Sequence, residues 1–357
     1  MTILCLCREQ HHWKLIPGYA DAFRRRGIEF FCVEDSIPFD APLEDVLRTC
    51  PSTPSAILHF ESAHPLFPID LEHCEIPTVC FRPDTYAFTE RRIHWSAVFD
   101  HAAVFHPGYD EQFRRAGHPG AFSLPHAVRK HFFEDADPSR AFEIGWAGQT
   151  GGKFYKTCAE WLLKLAQEFH TNDWSRSYTV EEVANLYRCS QMVVNIGRDD
   201  FPQDANLRVF EVLASGALLF TSMPTELTQL GLQEGVHFIG YRNPAEIITV
   251  LRKYLQDKPA RTRIAETARA LVLAKHTYDR RVGQLLARLA QPRQKKLAPA
   301  RSWPEPRARL VALDFFAAHG LTACAANQFR HIAGHGFRAT IQGASLLSRS
   351  WLKSLRS

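Results

Sequence analysis

The sequence predicts an α/β fold: two successive αβ series, each forming a parallel, doubly wound sheet, and then a basic helical extension. Three observations carry this. Short apolar, β-branched runs alternate with helical patterns from Ile3 to Leu289. A polar stretch with a central proline, EDADPSR at 134–140, interrupts that alternation once. Beyond Ala290 the composition changes: from Arg293 onward eleven Lys and Arg accompany only Glu305 and Asp314. That is a net +9 in a chain of +5, so the preceding residues carry −4.

Ile3–Cys7 reads as a buried strand, Trp13–Arg26 as an amphipathic helix ended by Gly27, and Ile28–Val33 as the second strand. Ala56–Phe60 and Thr78–Phe81 are two more, and Trp95–Phe105 holds a fifth, or a pair. Ligands of such a sheet sit beyond the strand C-termini. Here those places are Arg8–His12, Glu61–His64 and Arg82–Tyr86, loops rich in His, Asp and Arg.

The second series begins at Phe142–Trp146. Gly145, Gly148, Gly151 and Gly152 follow in IGWAGQTGGKFY, ahead of a helix from about Phe154 to Phe169. Glycine after a strand lets a phosphate approach the backbone. This is no Walker loop, because Lys153 stands at the wrong spacing and no Ser or Thr follows it. A helix over Val180–Cys189 starts after Thr179. Gln191–Ile196 and Ala217–Thr221 are buried strands, and Asn206 caps the helix between them, which ends at Gly216. A helix that starts just past a strand end points free N–H groups at the place where α/β proteins bind anions. Glu211 sits one turn inside it, placed to hold sugar hydroxyls. Helices follow over Pro244–Gln256, Arg261–Ala274 and Thr277–Ala290. The segment 291–306 holds four prolines and several cations, a linker, and three helical patterns follow it.

The chain of 357 residues is 45% hydrophobic, enough for two cores. No run of eighteen apolar residues exists, and MTILCLCREQ lacks the pattern of a signal peptide. The nine cysteines, scattered and odd in number, read as reduced core thiols of a cytoplasmic protein. The basic tail lacks the aromatic interleaving of a nucleic-acid module, so nucleic acid is not an expected partner. Around its terminal pattern, 339–355, Arg338, Arg349, Lys353 and Arg356 fall in one sector, so two readings of 307–357 stand: its helices pack on the body of the fold with their cations in water, or they make peripheral contact with an anionic membrane, at the inner face.

Several segments together resemble retaining, GT-B-fold glycosyltransferases of the "glycosyl transferases group 1" type, which include the CgeB-like spore-maturation group. The residues that carry the likeness are Asn206-Leu207-Arg208-Val209-Phe210-Glu211, Ala214-Ser215-Gly216 and Pro224-Thr225-Glu226-Leu227. Gly235-Val236-His237-Phe238, Tyr241-Arg242-Asn243-Pro244-Ala245-Glu246 and Lys275–Arg281 fit as well. The resemblance implies two Rossmann-like domains facing a cleft: 1–133 for the acceptor, 134–141 as linker and 142–290 for the nucleotide sugar. The segments 291–306 and 307–357 would be a second linker and the extension.

It also implies transfer of a hexose-type sugar from a nucleotide-diphosphate donor to a glycan, lipid-linked or protein acceptor, without metal or further cofactor. Glu211 matches the family glutamate that holds the nucleotide ribose. The family's other glutamate, eight positions earlier, is Gln203 here, which favours the alternative of a catalytically decayed, glycan-binding or scaffolding protein. Asn206, Leu207, Gly148 and Lys153 are the expected diphosphate contacts, and Arg208 either joins them or braces the loop. Asp199-Asp200 lacks a further ligand of clear spacing for a metal. His59, Glu61 and Asp84, at strand ends, are the candidates for a catalytic base.

Overall fold

In β1 (Thr2–Arg8) six successive residues are buried, a pattern that requires cover on both faces of the strand and places it inside a parallel sheet. The structure is a computed structural model describing residues 1–8, 15–61, 66–134, 139–201, 205–223, 225–242, 246–291, 298–336 and 340–346. After β1 come α1 (Ile16–Arg24), β2 (Glu29–Val33), α2 (Leu43–Arg48), β3 (Ala56–Phe60), β4 (Thr78–Arg82), α3 (Thr89–Ser96), β5 (His101–Val104), α4 (Tyr109–Arg115) and β6 (Ala121–Ser123). All pairings are parallel, in the order β2-β1-β3-β4-β5-β6.

The strand expected within Trp95–Phe105 is β5, while Trp95 itself lies in α3, where Arg92, Trp95 and Ser96 bury at helical spacing. The fifth strand is therefore single, and the short β6 completes the sheet.

The second sheet is built from β7 (Phe142–Gly145), α5 (Lys156–Glu168), α6 (Val180–Arg188), β8 (Ser190–Asn195), α7 (Leu207–Ser215), β9 (Leu218–Ser222), α8 (Thr225–Gln229), β10 (Ile239–Tyr241), α9 (Ile247–Gln256), α10 (Lys258–Lys275) and α11 (Tyr278–Leu289). Its order is β10-β9-β8-β7, again parallel. The starts of α6 and α7 are set locally. Thr179 and Glu182 form a reciprocal capping box. Asn206 accepts from the Val209 N–H, and Gly216 ends α7 at φ 75°.

The chain forms two compact units, 1–124 with 282–357, and 125–281. The first boundary thus falls ahead of the expected linker, four residues of which, 135–138, lie outside the described residues. The reason is backbone pairing. Val128 N–H donates to His276 O (2.9 Å) and Tyr278 N–H to Val128 O (3.2 Å), while Phe133 joins the second core. The chain returns to the first unit within α11.

Of the two readings of the basic segment, the described residues follow the one in which its helices pack on the body of the fold. In α12 (Glu305–Ala318) Leu310 to Phe316 are buried without a break, and a helix apolar all round is a core helix. Val311, Ala312, Phe315 and Phe316 share one cluster with Leu4, Ile57 and Val104 of the sheet. Asp314, 3% exposed, accepts from Arg91 (2.6 and 3.2 Å) and from the Trp95 indole (2.7 Å). α13 (Thr322–Ala333) buries Ala325, Gln328 and Ile332. Of the last expected helix, residues 340–346 are helical; Arg338, Arg349, Lys353 and Arg356 lie outside the described residues. None of the nine cysteines is in a disulfide, and no described helix is long and apolar enough to cross a membrane.

Candidate functional site

Asn195 closes β8 at the carboxyl end of the second sheet and is 1% exposed. Its amide donates to Thr221 Oγ1 on β9 (3.0 Å). Its side-chain oxygen accepts from Arg208 (3.0 Å) and from Asn206 Nδ2 (3.3 Å). Its backbone carbonyl accepts from the Tyr241 hydroxyl on β10 (3.1 Å). One side chain and its own carbonyl thus tie three strand ends to the first turn of α7. Local sequence assigned Asn195 no anchoring role, and Tyr241 entered only through the resemblance, since their partners lie 11 to 46 residues away.

The α7 N-terminus is fixed from both sides. Ala205 N–H donates to Glu226 Oε2 (2.9 Å), a carboxylate 4% exposed at the start of α8. Arg208 donates to Ala147 O (3.0 Å) and lies 5.3 Å over the Trp146 ring. Its guanidinium fills the space beside Gly148, where a Cβ would stand 2.2 Å from Nη2; glycine there is a packing requirement as well as an open approach for a ligand. Of the two roles open to Arg208, bracing the loop is the one these contacts make. The first N–H groups of α7 have no intrahelical acceptor and carry the positive end of its dipole. Glu211, partly buried, lies one turn further on. Burial first, and then the Glu211 charge, push the pKa of the buried Tyr187 phenol up, so that it stays protonated.

Across this helix start stands the glycine loop. Lys153 is exposed, its ammonium 4.8 Å from the Phe154 ring. Asp199 N–H donates to Phe154 O (3.0 Å), which joins the two loops. Arg198 takes Asp200 with two bonds of 2.8 Å, holding its carboxyl below the usual carboxylate range, with a smaller contribution from Lys153. Asp200 is therefore already neutralised, and among the described residues no group of three metal-ligating side chains converges.

The chemistry on offer is anion binding at a helix start with a carboxylate one turn beyond, at the carboxyl end of a parallel sheet. Residues 129–287 match a family model described as "Glycosyl transferase-like". No curated protein matches the chain in sequence. Among solved structures it is similar to alpha-glucosyltransferase (AGT) in complex with UDP, with TM-score 0.58 and 10% identity over 81% of this chain and 100% of that one. It is similar to Anabaena Alr3699/HepE in complex with UDP-glucose, with TM-score 0.56 and 10% identity over 80% and 99%. A third is sucrose-phosphate synthase from Thermosynechococcus elongatus, with TM-score 0.52 and 12% identity over 81% and 98%. The fold is GT-B.

Within the GT-B frame, the second unit brings Asn206, Leu207, Arg208, Glu211, Gly148 and Lys153 into one region; Gln203 lies outside the described residues. His276 supports that region from below. Its ring is 5.1 Å from Phe210 of α7, and Arg281 donates to it (2.7 Å) and to the carbonyls of Pro125 (2.6 Å) and His126 (3.0 Å).

The three candidate bases of the first unit separate. His59 is fully buried among Phe67, Phe99 and Phe315, with ring centroids 5.1–5.5 Å apart. Burial first, and then Arg82 and His319, hold it neutral well below the ordinary histidine range. It is a core residue that no external substrate touches. Glu61 is taken by Arg92 (2.6 and 3.0 Å), with the fully buried Arg82 at 3.7 Å, so it is an ion-pair partner and not a free base. Asp84 alone of the three is exposed, in the loop after β4.

Proposed function

We propose that the chain is a glycosyltransferase that takes a nucleotide-diphosphate sugar on the second unit and an acceptor on the first. The observation that carries this is the capped start of α7, held by Asn195 and Glu226 at the carboxyl end of the sheet, with Glu211 one turn inside. The family match covers the same residues. Diphosphate charge would meet the α7 N–H groups and Lys153, and the leaving diphosphate gains negative charge as the glycosidic bond breaks, so these fixed dipoles favour the transition state over the ground state. The Glu211 carboxylate would accept from the ribose hydroxyls. Retention at the anomeric carbon follows the family resemblance; in that chemistry the departing phosphate accepts the acceptor's proton, with Asp84 as the protein carboxylate exposed on the acceptor side.

Replacement of Glu211 by Gln removes a charge-assisted bond of about 1.5–3 kcal/mol. Calorimetry with UDP and the other nucleoside diphosphates is expected to show roughly ten- to a hundredfold weaker binding, with the fold unchanged. Equal affinity would remove Glu211 from the site. Because Asp200 is paired with Arg198, transfer should survive EDTA. Loss with EDTA and recovery with manganese would instead make Asp199 and Asp200 a metal site. Transfer or hydrolysis across a panel of nucleotide sugars separates an active enzyme from a catalytically silent glycan-binding protein of the same fold.

A further inference from the structure

We infer that Cys5 of β1 and Cys32 of β2 form a reversible modification site, a dithiol that closes to a disulfide on reaction with a small-molecule disulfide and reopens with thiols. The inference is independent of the glycosyltransferase reading. The two residues are direct partners in the parallel ladder of the first sheet, so their side chains leave the same face. Adjacent strands lie about 4.8 Å apart, inside the range of about 4.4–6.8 Å that the Cα atoms of a disulfide span. The thiols themselves meet: the Cys5 side chain is hydrogen-bonded to that of Cys32. Other thiols turn to oxygen instead, Cys50 to Val46 O, Cys80 to His101 O and Cys189 to Asn185 Oδ1.

The pair is unequal, and that sets the order of events. Cys5 is 0% exposed, while Cys32, on the edge strand, is partly exposed. Burial first, and then the Cys32 thiol, hold the Cys5 thiol protonated well above its ordinary range, so Cys5 does not start the reaction. Cys32 loses its proton to solvent and its sulfur attacks one sulfur of the reagent RSSR, expelling a thiolate that is protonated to RSH. Cys5 then attacks the Cys32 sulfur of the mixed disulfide, and its proton leaves with the second RSH. Two protein thiols and one RSSR become one protein disulfide and two RSH. Two electrons have passed from the protein sulfurs to the reagent.

The place in the ladder lets the bond close and reopen. Side chains stand across a sheet rather than along it, so a bond between direct partners pulls both sulfurs from their relaxed directions, and strained disulfides are the readily reduced ones. Cys5 is the last regular pair before the register shifts between Cys5 and Arg8, and β2 lies at the end of the strand order, so the edge can follow the bond. Cys7 shares the face of Cys5, but no residue of β2 stands opposite it in register, and its thiol donates to Arg8 O (3.4 Å).

The test is thiol mapping on the full chain. Protein treated with oxidised glutathione under native conditions is alkylated, digested and read by mass spectrometry. The wild type should lose two alkylatable thiols and yield one peptide pair linked from Cys5 to Cys32, with both thiols restored by dithiothreitol. Cys32→Ser should leave Cys5 unreacted. Cys5→Ala, which keeps the buried position apolar, should stop at a glutathione adduct on Cys32 that the wild type resolves. Cys7→Ser should form the Cys5–Cys32 link as the wild type does. A second measurement needs no variant to fold: phenylarsine oxide, which bridges two close thiols, should block Cys5 and Cys32 of the wild type together. A wild type that ends as a stable Cys32–glutathione adduct, that reacts at neither thiol, or that links Cys32 to another cysteine overturns the pair.

Discussion

A chain ending at Ala290 is expected to lose the fold of the first unit. The removed α12 supplies Phe315, which is fully buried with its ring 4.3 Å from Phe67 and 5.3 Å from Trp95. It also supplies Asp314, the acceptor for Arg91 and Trp95. Phe315→Ala alone should cost about 3–5 kcal/mol through the lost transfer energy and the remaining cavity. Asp314→Ala leaves the Arg91 guanidinium and the buried indole N–H without their acceptor, a change worth about 3–5 kcal/mol when a buried ion pair is broken from one side. A domain's whole stability is about 5–15 kcal/mol, so loss of the entire helix exceeds what the unit can absorb. The second unit, with its own core around Val209, Phe210, Leu213 and Leu219, should still melt cooperatively and bind nucleotide. Calorimetry of the truncated chain decides the matter. Two unfolding transitions at the full-length temperatures would mean that α12 is an ornament on the first sheet.

Sequence left two readings of the tail open, because two sequence signals compete there, and the described residues take the packed one. Net charge is a property of the segment as a whole, and it describes a surface object. Burial belongs to single positions, and the run from Leu310 to Phe316 contains one charge, Asp314, whose partners Arg91 and Trp95 lie more than 200 residues earlier. No local pattern announces such a pairing.

The strands and helices of both units were legible because their hydrophobic periods are strong and their caps local, as Thr179 with Glu182 and Asn206 with Val209 show. Short pieces such as β6 and β10, three residues each, offer too few positions for a period to emerge. At the site, the α7 motif was legible as a segment, but its anchor was not, because Asn195 ends an apolar run whose neighbours in space are Thr221 and Tyr241. In the first unit, His59, Glu61 and Asp84 were equivalent as strand-end polar residues. β3 is buried at all five positions, so alternation could not show that His59 turns into an aromatic box while Asp84 remains in solvent.

Acidification should weaken both units, in a pH window set by buried histidines. His118 is 2% exposed; its Nε2 bonds Ser96 O (3.0 Å) and its Nδ1 has no partner. Burial first, with smaller contributions from His101 and Arg82, lowers its pKa to about 4. His276, 6% exposed, receives Arg281 at 2.7 Å; burial first, then Arg281 and Lys275, lowers its pKa to about 4. A proton on either ring must be buried next to other cations. In the unfolded chain both titrate near 6.5, so below that pH the unfolded state binds protons that the native state refuses. Stability is then full above about pH 6.5 and falls as pH drops towards about 4, where the native rings begin to titrate. At pH 5 the loss is about 2 kcal/mol for each residue, and His59, held neutral for the same reason, steepens the slope in the first unit. Urea midpoints at pH 7 and pH 5 should therefore differ clearly. His118→Gln should flatten the pH dependence of the first unit, and His276→Gln that of the second. Equal midpoints at the two pH values, or greater stability at pH 5, would show that these rings accept protons in the folded chain and are not sealed from water as the structure has them.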